Sequence, residues 1–128
     1  MTPRSYAASG SPYEARYGFS RAVRDGDRVL VSGTAPVWPD GSCDPDPAAQ
    51  ARRCCEIIAE ALAALGCEPG DVVRTRMFVT DPTIADQVGE VHAEYFGAAR
   101  PAATMVVVAA LLDPRWFVEI EAEAIAPG

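Results

Sequence analysis

The sequence predicts an α+β domain: one β-sheet backed by two amphipathic helices. Three observations carry this. Segments at about 46–65 and 81–96 repeat apolar residues at helical spacing. Stretches at 17–24, 28–33, 72–80, 102–110 and 116–125 are rich in β-formers and bounded by turn residues. The chain of 128 residues fits one domain, and a chain of that size buries roughly two-thirds of its unfolded surface without staples.

The first 16 residues, rich in Ser, Pro, Gly and Ala, are expected to lie over the surface. A hairpin follows, with 17–24 (YGFSRAVR) and 28–33 (RVLVSG) flanking Asp25-Gly26-Asp27, where glycine makes a positive φ cheap. Residues 34–45 form a turn-rich loop. In the first long helix Asp46 is a natural N-cap, Pro47 suits the first helical position and Gly66 supplies the stop. Ala51, Cys54, Cys55, Ile58, Ala61, Leu62 and Leu65 make its apolar stripe. After the 72–80 strand, Asp81 and Pro82 open a second helix, with Ile84, Val88, Val91 and Tyr95 at helical spacing and Gly97 at its end. The run Ala102–Ala110 is apolar on both sides, as in a strand buried on both faces. The order is ββαβαββ. Two helices cover one face of the sheet only, so copies of the same chain are the economical cover for the other.

The net charge is −7, with eleven arginines, scattered, and no lysine. Such a surface suits neither nucleic-acid backbones nor anionic membranes. The N-terminus lacks the apolar core of a signal peptide and no run reaches membrane-span length, which points to the cytoplasm. Cys43, Cys54, Cys55 and Cys67 follow no zinc or CxxC spacing and read as small apolar residues in a reducing compartment, with Cys43 alone in a loop. The single histidine, His92, lies beside the second helix's stripe, where a half-buried structural role is expected. One histidine supports neither a His-based metal site nor a Ser-His-Asp set, and no glycine-rich phosphate loop is present.

The last strand is the informative one. Trp116, Val118, Ile120, Ala122 and Ala124 alternate with Glu119, Glu121 and Glu123. If the apolar set faces the helices, three carboxylates spaced about 7 Å apart line the opposite face. Glu121 and Glu123 are expected to pair with Arg74 and Arg76, which alternate in the same way. Glu119, nearest the entering loop, is the candidate general acid/base or water-orienting group, and partial burial would raise its pKa.

Segments 18–36 (GFSRAVRDGDRVLVSGTAP), 47–50 (PAAQ), 65–73 (LGCEPGDVV), 75–81 (TRMFVTD), 100–109 (RPAATMVVVA) and 118–126 (VEIEAEAIA) together resemble the RidA/YjgF family of reactive-intermediate deaminases. The resemblance runs in order along nearly the whole chain. It implies a chorismate-mutase-like fold, a homotrimer whose sheets line a central barrel, and a pocket at each subunit interface. It also implies hydrolysis of imines or enamines to carbonyl compounds and ammonia without metal or cofactor. In the family an arginine grips the substrate carboxylate, a glutamate positions or activates water, and a serine and a tyrosine line the pocket. Here the serine falls on Ser32, beside Gly33, and the glutamate on Glu119, with Glu121 as the alternative. The aromatic falls on Phe19, with Tyr17 nearby, and Met105 and Trp116 are further pocket candidates. The carboxylate-gripping arginine falls on Ala103, a departure that removes the strongest contact to a 2-imino acid. Arg21 and Arg100 are the possible replacements. Two functions follow as expectations: an imine or enamine hydrolase using Glu119 and Ser32, or a trimer that binds a small metabolite without turnover. The ribonuclease label also attached to the family sits poorly with the acidic charge.

Overall fold

A computed structural model describes residues 3–128. Its elements are β1 (Ser5–Ala7), α1 (Pro12–Tyr17), β2 (Ala22–Asp25), β3 (Arg28–Thr34), α2 (Pro47–Ala64), β4 (Val72–Val79), α3 (Ala85–Phe96), β5 (Ala102–Val107) and β6 (Val118–Ile125). They build one six-stranded sheet in the order β1-β2-β3-β6-β4-β5, antiparallel throughout except for the parallel pair β4–β5. The predicted ββαβαββ order is present, preceded by a short strand and a short helix. Among the described residues no helix is long and apolar enough to cross a membrane.

The long helix forms as its signals dictate. Asp46 accepts a hydrogen bond from the Ala49 N–H at 3.1 Å, Pro47 opens the first turn, and all seven residues of the apolar stripe are buried. They pack on Val29, Val31, Val118, Ile120, Ala122 and Ala124 of β3 and β6, which form one continuous core with Val88, Val91 and Phe96 of α3. Burial pushes the Cys55 thiol up to about 12, so it serves as an apolar side chain and not as a nucleophile. His92 is half-buried beside Thr75, with Nε2 2.7 Å from Oγ1, and burial lowers its pKa and keeps it neutral.

Several expectations are corrected. The N-terminal segment does not simply lie over the surface: Ser5–Ala7 pairs with Ala22–Arg24, and Ala7 is buried. The first two residues of that segment lie outside those described. The first hairpin strand begins at Ala22, not Tyr17. Ser11 caps and Pro12 opens α1, which takes Tyr17, and Gly18 at φ 77° turns the chain through Phe19. Pro82–Ile84 is a 3-10 turn capped by Asp81, so α3 starts at Ala85. The last strand starts at Val118, leaving Trp116 in the preceding turn.

Strand β5 ends at Val107, short of the expected Ala110, and within the single chain Val106 is 43% and Val107 54% exposed. The reason is topological. Strand β5 is an edge, hydrogen-bonded within the chain only to β4, and the helices leave one sheet face bare.

Candidate functional site

Strict alternation along β6 buries Val118, Ile120, Ala122 and Ala124 against the helices and turns Glu119, Glu121 and Glu123 to the bare face. On β4 the same logic brings Arg74, Arg76 and Phe78 to that face. Arg76 Nη1 lies 3.5 Å from Glu121 Oε1 and 3.5 Å from Glu123 Oε1, so one guanidinium is shared by two carboxylates. Arg74 does not join this ladder through Nε, which is buried without a partner. A depression of about 210 Å³ opens beside the pair, lined among others by Val23, Leu30, Ser32, Arg76, Glu121 and Glu123.

Glu119 stands apart from that ladder. Strand β3 slips by one residue between Val31 and Thr34, so Ser32 and Gly33 together oppose a single position of β6. Such bulges re-aim the chain next to functional groups. Here the bulge lays Gly33 against the Glu119 carboxylate: a Cβ on Gly33 would sit 2.7 Å from Glu119 Oε2. The missing side chain is the space the carboxylate occupies. Arg21 Nη2 donates to the Gly33 carbonyl, while Arg21 Nε is buried without a partner.

The electrostatics follow from this packing. Burial is the main force on Glu119 and raises its pKa, the Glu121 charge adds to the rise, and Arg21 opposes it. Burial is also the main force on Arg21 and lowers its pKa, against the attraction of Glu14 and then Glu119. The Ser32 hydroxyl donates to the Ser20 carbonyl at 2.7 Å, which commits its proton and leaves its oxygen free to accept.

The other candidates fall elsewhere. Tyr17 stacks on Tyr13 with centroids 5.6 Å apart and carries the Arg16 guanidinium 5.2 Å from its ring. Phe19 is exposed in the turn after α1. Ala103 and Met105 pair with Thr75 and Met77, so they sit on the helix side of the edge strand, opposite in face to Glu119. Met105 packs on the core. Ala103 is level with Thr75, three residues from the Phe78 rung that Glu119 faces, or roughly 10 Å along the sheet. Arg100, at φ 51°, precedes β5 at the far end. Within one chain, then, Ala103 and Arg100 do not share a cleft with Glu119.

Two polar groups escaped the sequence reading. Gln50 is fully buried, donating from Nε2 to the Asp44 and Arg115 carbonyls and accepting from the Phe117 N–H, each at 2.8 Å. It ties the 38–46 loop to the turn before β6, and Cys43 lies at its edge with Sγ 3.5 Å from Nε2. Glu14 is buried on α1 and accepts from the Ser9 backbone N–H and hydroxyl. The capping run Ser11-Pro12 and the stop at Gly18 could have revealed that helix.

Residues 10–126 match the family described as Endoribonuclease L-PSP. The chain is 36% identical over 112 residues to the 2-iminobutanoate/2-iminopropanoate deaminase of Escherichia coli K12, covering 84% of this chain and 85% of that one. A YjgF/YER057c/UK114-family structure from Mycobacterium tuberculosis superposes with a TM-score of 0.89 at 45% identity, covering 97% of this chain and 100% of its own. Escherichia coli TdcF with bound serine superposes with a TM-score of 0.81 at 30% identity, over 99% and 97% of the two chains. A match over nearly the whole length, on the same sheet and helices, shows that this chain belongs to the Rid/YjgF family.

Proposed function

We propose that the chain is a cytoplasmic protein that hydrolyses a small imine or enamine to a carbonyl compound and ammonia, at a pocket between copies in a homotrimer. The observation that carries this is Glu119, a half-buried carboxylate with a raised pKa, seated on the Gly33 backbone at a bulge. A deaminase acting on imines among the relatives supports the same chemistry. The bare sheet face and the apolar edge strand support a second and third copy, and Ala103 of one copy would then approach Glu119 of another.

In this reading Glu119 takes a proton from water as the water oxygen bonds to the imine carbon, and passes it to the imine nitrogen. The resulting carbinolamine loses ammonia as the C–N bond breaks, Glu119 carrying the hydroxyl proton to the departing nitrogen while the C–O bond becomes the carbonyl. The balance is one imine and one water in, one carbonyl and one ammonia out. The raised pKa makes the ionised Glu119 a stronger base than an exposed carboxylate. Ser32 accepts a hydrogen bond from the water, since its own proton is committed to Ser20. A structural rung paired with Arg76 is the better role for Glu121. The acidic balance and the absence of lysine speak against an RNA substrate.

A second reading, a trimer that binds a metabolite without turnover, is favoured by Ala103, which stands where the resemblance places the family's carboxylate-gripping arginine. Ammonia release from a panel of enzymatically generated imines separates the two. Acceleration over the spontaneous reaction supports the hydrolase, and its absence across the panel supports the binder.

A further inference from the structure

The Ser20-Arg21 turn grips the β3 bulge at three points. The Ser32 N–H donates to the Arg21 carbonyl at 3.0 Å, the Ser32 hydroxyl donates to the Ser20 carbonyl at 2.7 Å, and Arg21 Nη2 donates to the Gly33 carbonyl. A bulge disrupts the regular ladder, and here a side chain supplies a donor to the bulged backbone. The turn is anchored in its own right. The Arg21 N–H donates to the carbonyl of buried Ala7 at 3.0 Å, which ties it to β1. The buried Glu14 carboxylate on α1, held by the Ser9 N–H and hydroxyl, attracts the Arg21 guanidinium, as does Glu119. These contacts are made within one chain, and none depends on what a neighbouring copy brings.

We propose, resting on the reading of Glu119 as the group that exchanges the proton, that Arg21 is a positioning residue for it: the guanidinium holds the Gly33 carbonyl, and with it the backbone on which the Glu119 carboxylate is seated. The N-terminal segment then has a task beyond covering the end of the sheet, because β1 and α1 are what hold Arg21. Its charge acts with its hold. A cation beside a carboxylate favours the ionised form, and Arg21 opposes the rise that burial and Glu121 impose on Glu119. The other charged and titratable groups facing this pair are Glu14 on α1, Glu121 on β6, and on α2 both Glu60, which lines a small depression with Arg21, and Cys54. Burial holds the Cys54 thiol well above its ordinary pKa, so it stays neutral. Arg21 thus fixes where the base stands and keeps it ionised more readily.

Two substitutions in the full chain test this. Arg21→Met keeps the apolar stem with neither donor nor charge, and Arg21→Lys keeps the charge. Charges contributed by neighbouring copies are common to wild type and variants and drop out of the comparison. On whichever imine the wild type hydrolyses, Arg21→Met should lower kcat by roughly ten- to a hundredfold with KM nearly unchanged, as for a displaced reacting group. The midpoint of its pH–rate profile should move up, and Arg21→Lys should bring it back toward the wild-type position. A midpoint in Arg21→Met equal to that of the wild type overturns the inference, whatever happens to the melting temperature. If the wild type hydrolyses no imine, the hydrolase reading fails, and the positioning is still read by nuclear magnetic resonance. In the wild type the Arg21 guanidinium nitrogens should titrate together with the Glu119 carboxyl carbon, and in Arg21→Met the Gly33 carbonyl carbon should shift. Guanidinium nitrogens that do not follow Glu119 overturn the inference even where the variant does not fold, and so does an unmoved Gly33 carbonyl carbon where it does.

Discussion

Replacing Gly33 with alanine separates the fold from the site. Gly33 is not among the glycines at positive φ, so alanine adopts its backbone conformation without strain. An added Cβ would lie 2.7 Å from Glu119 Oε2 and 3.3 Å from its Cδ. That first approach is 0.7 Å short of the 3.4 Å at which ordinary contact begins, so the carboxylate must retreat. It is the far end of a flexible side chain, and an off-rotamer shift costs of order 0.5–1.5 kcal/mol. Against this, alanine narrows the unfolded ensemble and returns about 0.4–1 kcal/mol. The two nearly cancel, and the melting temperature should move by no more than a few degrees. The chemistry is less forgiving, because a displacement approaching 1 Å at a reacting group costs up to about a hundredfold. Gly33→Ala should therefore fold and assemble as the wild type does while losing roughly ten- to a hundredfold in kcat on whichever imine the wild type hydrolyses. A melting curve, a sizing run and an ammonia assay on one preparation test it. Full activity at an unchanged melting temperature would refute the seating of Glu119 on Gly33 as the functional geometry.

Three further outcomes are expected. Ala103→Arg should raise hydrolysis of 2-iminopropanoate by roughly ten- to a hundredfold, the worth of one charge-assisted contact, as measured by ammonia release. No change there would show that the edge position does not reach the pocket. Light scattering at micromolar concentration should give three times the chain mass, and a monomer would remove the intersubunit pocket. Gln50→Ala removes three part-buried hydrogen bonds, to the Asp44 and Arg115 carbonyls and from the Phe117 N–H. At about 0.5–1.5 kcal/mol for each bond, it should lower stability by roughly 1.5–4 kcal/mol in denaturant titration.

The legible part of this protein was its local part. Asp46-Pro47 and the stripe from Ala51 to Leu65 fixed α2, because capping and helical spacing are written within a few residues of each other. The alternation of Glu119, Glu121 and Glu123 with Val118, Ile120 and Ala122 likewise placed the carboxylates on the bare face. What the sequence left open was non-local. A run such as Ala102–Ala110 reads the same in the middle of a sheet and at its edge, and only the parallel pairing with β4 decides. Gln50 lies within the apolar stripe of α2, and its three partners come from loops 6, 65 and 67 residues away. Ala103 and Glu119 were expected in a pocket between copies, and within a single chain the sheet order sets them on opposite faces. The bulge at Ser32-Gly33 has no periodic signature, although it seats the candidate carboxylate.

The central claim is that Glu119 exchanges the proton, and Glu119→Gln tests it most directly. The amide keeps the size of the carboxylate but exchanges no proton at neutral pH. Because burial raises the Glu119 pKa in the fold, the ionised form is the one the fold disfavours. The stability Glu119 contributes is therefore present at acid pH and lost as pH rises through the raised value. Removing the charge should leave the melting temperature at neutral pH unchanged or slightly higher, and the assembly intact. Activity, which in the wild type should climb with pH as Glu119 ionises, should be nearly abolished at every pH. A Glu119→Gln protein that melts early yet keeps full specific activity would contradict the account and transfer the catalytic assignment to Glu121.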